Sequence, residues 1–159
     1  NGSDKVFKLD LSNNNWGSLT YEPSRPLDIE ADGTTLYWAE YLKNKIFKMQ
    51  TDGSGKQSIR NFGTFAPNGL ALDVPGNTIF VSGDPGGGIG AGETDSEIWR
   101  IDLDGSNPQL LYSYSGGNPD DIAFTTEAGP MINAVPLPLA AIVALPITVS
   151  MLCSRRRYP

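Results

Sequence analysis

The chain has 159 residues, 39% hydrophobic and 19% charged, enough for one folded domain with a core. A formal charge of −6 without a basic stripe excludes binding along a phosphate backbone, which needs Lys and Arg clustered on one face. His is absent, so imidazole bases, His-ligated zinc and Ser–His or Cys–His nucleophile pairs are excluded, and the single Cys153 can form no internal disulfide.

The sequence opens Asn1-Gly2-Ser3 with neither an initiator Met nor a charged-then-apolar leader, which reads as a leader removed or as a piece of a longer chain. The first short strand is Val6-Phe7-Lys8-Leu9-Asp10. Pro26-Leu27-Asp28-Ile29 begins a longer unit that continues through Leu36-Tyr37-Trp38-Ala39-Glu40, Ile46-Phe47-Lys48-Met49 and the turn Thr51-Asp52-Gly53-Ser54. An altered copy follows: Pro67-Asn68-Gly69-Leu70, Ile79-Phe80-Val81-Ser82, Ile98-Trp99-Arg100-Ile101 and the turn Asp104-Gly105-Ser106. Pro119-Asp120-Asp121-Ile122 opens a further copy. The Pro-led starts are spaced by 41 and then 52 residues, and the strands at Val6, Ile46 and Ile98 by 40 and then 52. Both series lengthen in the same interval, which places an insertion of about ten residues in the Gly-rich segment Asp84 to Asp95.

Each unit reads as four short strands, because apolar runs alternate with Gly, Asp, Asn and Pro and no helical period appears over residues 1 to 125. Asp32-Gly33, Asp52-Gly53 and Asp104-Gly105 supply hairpin turns, since Gly takes positive φ and Asp bonds backbone two residues on. Repetition at this period predicts an all-β stack of four-stranded antiparallel blades. Recurrence of Tyr37, Trp38, Phe47 and Trp99, with Tyr112 and Tyr114, predicts aromatic packing between adjacent blades.

The pattern Pro-x-x-Leu/Ile, then Leu36-Tyr37-Trp38-x-Glu40, then Ile46 and Asp52-Gly53-Ser54, resembles the YWTD repeat of low-density-lipoprotein receptor class B regions. The resemblance is strongest over residues 26 to 62 and implies a six-bladed, TolB-like β-propeller, of which this chain would hold about three blades. Ala39-Glu40 stands where that family has Thr-Asp, and Val81-Ser82 is read as its counterpart in the second unit. The repeat positions the resemblance marks are Leu36, Tyr37, Trp38, Glu40, Ile46, Asp52, Gly53, Ile98, Trp99, Asp104 and Gly105.

Candidate binding residues are Asn68, Asp120 and Asp121, beside the Pro-led strand starts. Asn68 and Asp120 resemble axial positions of gluconolactonase (senescence-marker) propellers, which implies a site for Ca2+ or another divalent metal able to activate water without His. The alternative is that these side chains cap the strands, with Asp28 as the equivalent in the first unit, and that no cofactor is bound. Acidic residues around the insertion and at Asp102-Leu103-Asp104 lack regular calcium-loop spacing and read as loop and turn residues.

Ala134 to Cys153 is uncharged for twenty residues and is followed by Arg155, Arg156 and Arg157, the layout of a membrane-spanning helix with a stop-transfer flank. Val135-Pro136-Leu137-Pro138, the apolar run and the terminal Arg cluster also resemble the Val-Pro-Leu-Pro variant of PEP-CTERM sorting signals, which implies an exported protein handled by a membrane sorting enzyme. The expected organisation is propeller repeats over 1–125, a linker over 126–132 and a hydrophobic sorting or transmembrane segment over 133–159. The expected function is a non-catalytic scaffold at the periplasm, cell surface or outside, binding a protein or glycan and touching membrane through its tail. A metal-dependent lactonase-like hydrolase and a receptor ectodomain fragment with a transmembrane anchor are the alternatives.

Overall fold

The computed structural model describes residues 5–20, 25–86, 95–115 and 122–124. The expected C-terminal helix and sorting segment, 133–159, lies outside them. Ten strands and one 3-10 turn are present among the described residues: β1 (Val6–Asp10), β2 (Asn15–Thr20), β3 (Pro26–Ala31), β4 (Thr35–Glu40), η1 (Tyr41–Lys43), β5 (Lys45–Gln50), β6 (Gln57–Asn61), β7 (Ala66–Asp73), β8 (Thr78–Asp84), β9 (Asp95–Asp102) and β10 (Gln109–Ser115). They form a β1–β2 hairpin and two four-stranded antiparallel meanders, β3-β4-β5-β6 and β7-β8-β9-β10. The hairpin corresponds to the third and fourth strands of a blade, so this is a partial β-propeller. The Gly-rich insertion falls between the second and third strands of the second meander, as its spacing requires.

A four-stranded sheet this short cannot bury anything within itself, and the core lies between successive sheets. Val6 and Leu19 of the hairpin pack on Leu36, Trp38, Phe47 and Met49. The opposite face of that meander, Tyr37, Ala39 and Ile46 with Ile59, packs on Phe65, Leu70, Ile79, Val81 and Ile101 of the next. The second meander repeats the arrangement, its far face of Ala71, Phe80 and Ile98 covered by Ile122 and Phe124. Because both faces are covered, β5 carries apolar residues at both parities, which is why Ile46, Phe47 and Met49 do not alternate with polar ones. Tyr112 and Tyr114 depart from the expected inter-blade packing: they stand on the outermost strand β10 and are about half exposed.

One structural device changes strands between the repeats. In the first meander Trp38 lies on β4, donates its indole N–H to Glu40 at 3.0 Å and stacks on Phe47 of β5 at 5.5 Å. In the second, Val81 stands at the Trp38 position, and Trp99 on β9 takes the Phe47 position and donates to Glu97 at 2.8 Å. Strand register also moves one correspondence: Glu40 pairs with Lys45 as Gly83 pairs with Glu97, so the family's Thr-Asp positions fall on Ser82-Gly83 rather than Val81-Ser82. A side chain at Gly83 has no room, since its Cβ would lie 2.1 Å from the Ala66 carbonyl oxygen. Glu40 is itself buried and ion-paired with Lys43 at 2.9 Å, which offsets the cost of removing its charge from water.

Hairpin ends opposite the η1 side are closed by their own residues. The Asp52-Gly53 and Asp104-Gly105 turns share one hydrogen-bond set: Gly53 N–H to the Gln50 carbonyl at 2.9 Å and Gly105 N–H to the Asp102 carbonyl at 2.8 Å. Asp52 and Asp104 each accept the backbone N–H of the serine two residues on at 2.8 Å. Those hydrogen bonds from Ser54 and Ser106, side chain and backbone, hold both carboxyls below the usual carboxylate range, and bonds from Ser12 do the same at Asp10. At Asp32 desolvation pushes the carboxyl up, but the N–H groups of Thr35 and Thr34 and the hydroxyls of Tyr37 and Thr34 outweigh it, so the net shift is down.

Two outcomes test this account. Gly105 has φ +87° and a Cβ there would meet the Ile59 carbonyl at 2.0 Å, whereas Gly33 has φ +94° with open space around it. Gly105→Ala is therefore expected to lower unfolding free energy by about 2 kcal/mol or more, and Gly33→Ala by only about 1 kcal/mol, in urea titrations. The acidic turns have folded-state values below their unfolded ones, so their stabilisation is complete above about pH 4 and is lost as pH falls through the folded values. The urea midpoint should drop as pH falls below about 4, and the triple variant Asp32→Asn, Asp52→Asn, Asp104→Asn should show a smaller drop over the same range.

Candidate functional site

The two ends of the meanders differ in chemistry. Connections between first and second strands, and between third and fourth, meet at the end of self-capped Asp turns. There the two turns of each meander are tied to one another by the same backbone bond in both repeats, Thr51 N–H to Thr34 carbonyl at 2.9 Å and Leu103 N–H to Asn77 carbonyl at 3.2 Å. The opposite end gathers the residues before each first strand and the links between second and third strands.

In the first meander that link is η1. Asn44 closes it in the left-handed region at φ 55°, a conformation Asn tolerates, with its N–H on the Tyr41 carbonyl at 3.2 Å. Asn44 also ties the link to the following segment, accepting the Phe62 N–H at 2.9 Å and donating its side-chain amide to the Gly63 carbonyl. The Arg25 guanidinium lies 5.3 Å over the Tyr41 ring, and Tyr41 donates its hydroxyl to Asp84 of the next sheet at 3.3 Å. Arg25, Tyr41 and Lys43 thus form a charged and aromatic rim, backed by the buried Asp84, on which Leu42 is the exposed apolar residue, at 47%. The insertion follows directly from Asp84, on the same end of the second meander.

The first strands, β3 and β7, lie against each other, and both carry a bulge just after the proline that opens the repeat. Pairing of Pro26 with Glu40 and Ile29 with Trp38, against Pro67 with Gly83 and Leu70 with Val81, makes Leu27 the counterpart of Asn68 and Asp28 that of Gly69. The expectation that Asp28 is the equivalent of Asn68 is therefore out by one residue: the 41-residue spacing of the Pro-led starts carries Asn68 back to Leu27, and both strands bulge at the same place. The two residues also behave differently. Asp28 accepts the Leu70 backbone N–H at 2.6 Å, strapping one inner strand to the next, while Asn68 is buried at 4% exposure.

Of the other candidates, Asp120 and Asp121 lie outside the described residues. Val135, Pro136, Pro138, Arg155, Arg156 and Arg157 also lie outside them. Among the described residues no group of three or more Asp, Glu or Cys side chains is gathered so as to hold a metal ion, and no helix is long and apolar enough to cross a membrane. All eleven repeat-motif positions take structural places, in the inter-sheet core or in the turns. The sequence reading did not single out the rim residues Arg25, Tyr41 and Lys43, nor Ser82, whose hydroxyl is fully buried and has no hydrogen-bond partner among the described residues. Their signal was present as departure from the repeat, since Tyr41 stands where the second unit has Asp84.

No family model matches the chain. Among solved structures it is similar to a chain of the nidogen/laminin complex, with a TM-score of 0.64 and 18% identity over 76% of this chain and 44% of the other. It is also similar to a protein assigned as TolB from Agrobacterium tumefaciens, with a TM-score of 0.61 and 16% identity over 75% of this chain and 46% of the other. The chain thus spans less than half the length of each, and the likeness at this identity establishes the fold, a partial β-propeller.

Proposed function

We propose that the chain is an exported, non-catalytic propeller scaffold that binds a protein or glycan across the end of the ring bearing η1 and the Gly-rich insertion. The observation that supports this most is the asymmetry of the two ends. One end is built from repeated, self-satisfied Asp turns, which leave few polar groups for a ligand. The other differs from unit to unit and presents Arg25, Tyr41 and Lys43 around the exposed Leu42, with the buried Asp84 accepting the Tyr41 hydroxyl. Connections that vary on a rigid scaffold are where binding residues accumulate, and an aromatic–Arg pair beside an apolar residue suits a protein or sugar surface. One structural neighbour, the nidogen/laminin complex, is a propeller seen with a protein partner. Residues 133–159, with Val135-Pro136-Leu137-Pro138 and Arg155 to Arg157, would hold or sort the exported chain at the membrane.

Arrays of surface glycans and of extracellular proteins, probed with the full chain, test the reading. For a captured ligand, Tyr41→Ala with Leu42→Asp should weaken binding about tenfold or more, while Asp52→Asn at the opposite end should leave it unchanged. Loss confined to the Asp52 end would overturn the proposed face. Lactone hydrolysis dependent on added Ca2+ or Zn2+, and abolished in Asn68→Ala, would replace the scaffold with the hydrolase. Intact mass of the exported product should place its end near Val135; a product keeping the Arg cluster would make the tail an anchor instead.

A further inference from the structure

Charge is sorted between the two ends of the sheets. At the turn end stand Asp10, Asp32, Asp52, Asp73, Asp102 and Asp104, with Lys8 and Lys56 beside them. The η1 end of the first meander reverses the balance. Arg25 precedes β3, Lys43 closes η1, Lys45 opens β5 and Arg60 stands one residue from the end of β6. Glu40, the carboxylate among them, is buried and ion-paired with Lys43 at 2.9 Å. At the same end the second meander bears Asp84, Asp95 and Glu97, so of the two meanders it is the first that carries a positive field there.

Strand register sets these cations in a row. Pro26 pairs with Glu40, Glu40 with Lys45 and Lys45 with Asn61, so four residues lie level across β3, β4, β5 and β6. Arg25 and Arg60 adjoin the two ends of that line in sequence. Neighbouring strands lie about 4.8 Å apart, which makes the row about 14 Å long, the reach of four or so residues of extended chain. Backbone hydrogen bonds hold it: Tyr41 N–H to the Arg25 carbonyl at 3.2 Å, and Phe62 N–H to the Asn44 carbonyl at 2.9 Å. A ligand therefore finds the charges already gathered, which lowers the ordering cost of binding.

The row's hydrogen-bonding capacity is not used up by the fold. Among the described residues neither Lys45 nor Arg60 has a carboxylate at ion-pair distance, and the buried Arg60 Nε has no acceptor. The Arg60 guanidinium lies 5.4 Å over the Phe62 ring, as that of Arg25 lies 5.3 Å over Tyr41. Stacking holds a guanidinium by its face, and its in-plane N–H groups match the two oxygens of a carboxylate. The same stacking argues against a neutral sugar, which needs an open ring face. Tyr41 and Phe62 each carry a guanidinium on one face, and Phe62 also packs on Phe65 and Trp99 at 4.9 and 5.8 Å. What this end turns outward is cations beside the exposed side chain of Leu42.

We propose that the partner bound at this end is an extended, acidic segment of another protein. It crosses the first meander from Arg25 to Arg60, sets carboxylates on Arg25, Lys45 and Arg60, and lays an apolar side chain on Leu42. The inference rests on the η1 end being the binding face and adds what the partner must carry. Opposite charge speeds its encounter and fixes its register along the row, while the apolar contact slows its release. The acidic turns at the far end repel the same segment, so it is directed to one end of the sheets.

Fluorescence anisotropy of the full chain with a labelled heptapeptide of Asp and Glu around one Leu tests this, in an Arg155→Gln, Arg156→Gln, Arg157→Gln background that removes the tail's own cations. The peptide should bind, and its affinity should fall about tenfold between roughly 0.05 and 0.5 M salt. Its Asn and Gln counterpart should not bind. Lys45→Gln with Arg60→Gln should weaken binding about tenfold, and Arg25→Gln alone about threefold, each with the urea midpoint retained. Lys8→Gln with Lys48→Gln removes the same charge elsewhere and should change affinity by less than about twofold. No binding at about 1 mM peptide, equal binding of the amide peptide, or equal loss in the Lys8/Lys48 variant would each overturn the proposal. Tighter binding of a heparin fragment through the same residues would overturn it in favour of an anionic glycan. A captured ligand that needs Tyr41 and Leu42 but ignores Lys45 and Arg60 would overturn the acidic partner and leave the binding face standing.

Discussion

Among the described residues, each buried apolar cluster lies between one sheet and the segment stacked on it. Four strands of five to eight residues make a sheet too small to have an inside, so each must be covered on both faces by its neighbours. Trp38, Phe47 and Met49 face one neighbour, and Tyr37, Ala39 and Ile46 the other. Fully burying a side chain of this size contributes about 1.5 to 3 kcal/mol, so a face without a neighbour forgoes most of what its residues can contribute.

Covering rather than identity is what the repeat conserves internally. Trp38 with Glu40 on the second strand of one blade, and Trp99 with Glu97 on the third strand of the next, place an indole and its carboxylate acceptor on the same face from opposite strands. Val81 and Gly83 complete the exchange, small where the first unit is large, and the closeness of Ala66 to Gly83 shows why a side chain cannot return there. Packing asks only that the volume be filled and that the buried N–H be satisfied, so the residues can trade strands.

Polar residues divide between the two ends by the same logic. Where the turns approach neighbouring backbone, as Gly105 does at Ile59, geometry is fixed and the carboxylates are consumed by their own loops. At the opposite end the connections are free to differ, and Arg25, Tyr41, Lys43 and Asp84 meet there without a repeating pattern. Asp28, read from the sequence as a structural residue, joins β3 to β7 through the Leu70 N–H.

The repeat period, the four strands per unit, the turns and the site of the insertion were legible in the residues alone, because Pro-led starts, apolar runs and Asp-Gly pairs are local signals that recur at measurable spacing. The bulge that both first strands carry after their proline was not, since a bulge leaves composition unaltered, although the 41-residue spacing by itself already pairs Asn68 with Leu27. Nor was the rim, whose members are far apart in sequence and meet only when Tyr41 of one sheet reaches Asp84 of the next. Sequence alone thus determined what each blade is made of, because strand and turn propensities act over a few residues. Only the tertiary structure decided which side of each strand faces which neighbour, which carboxylates are spent on turns and which face stays uncovered, because those depend on contacts between sheets that no local pattern encodes.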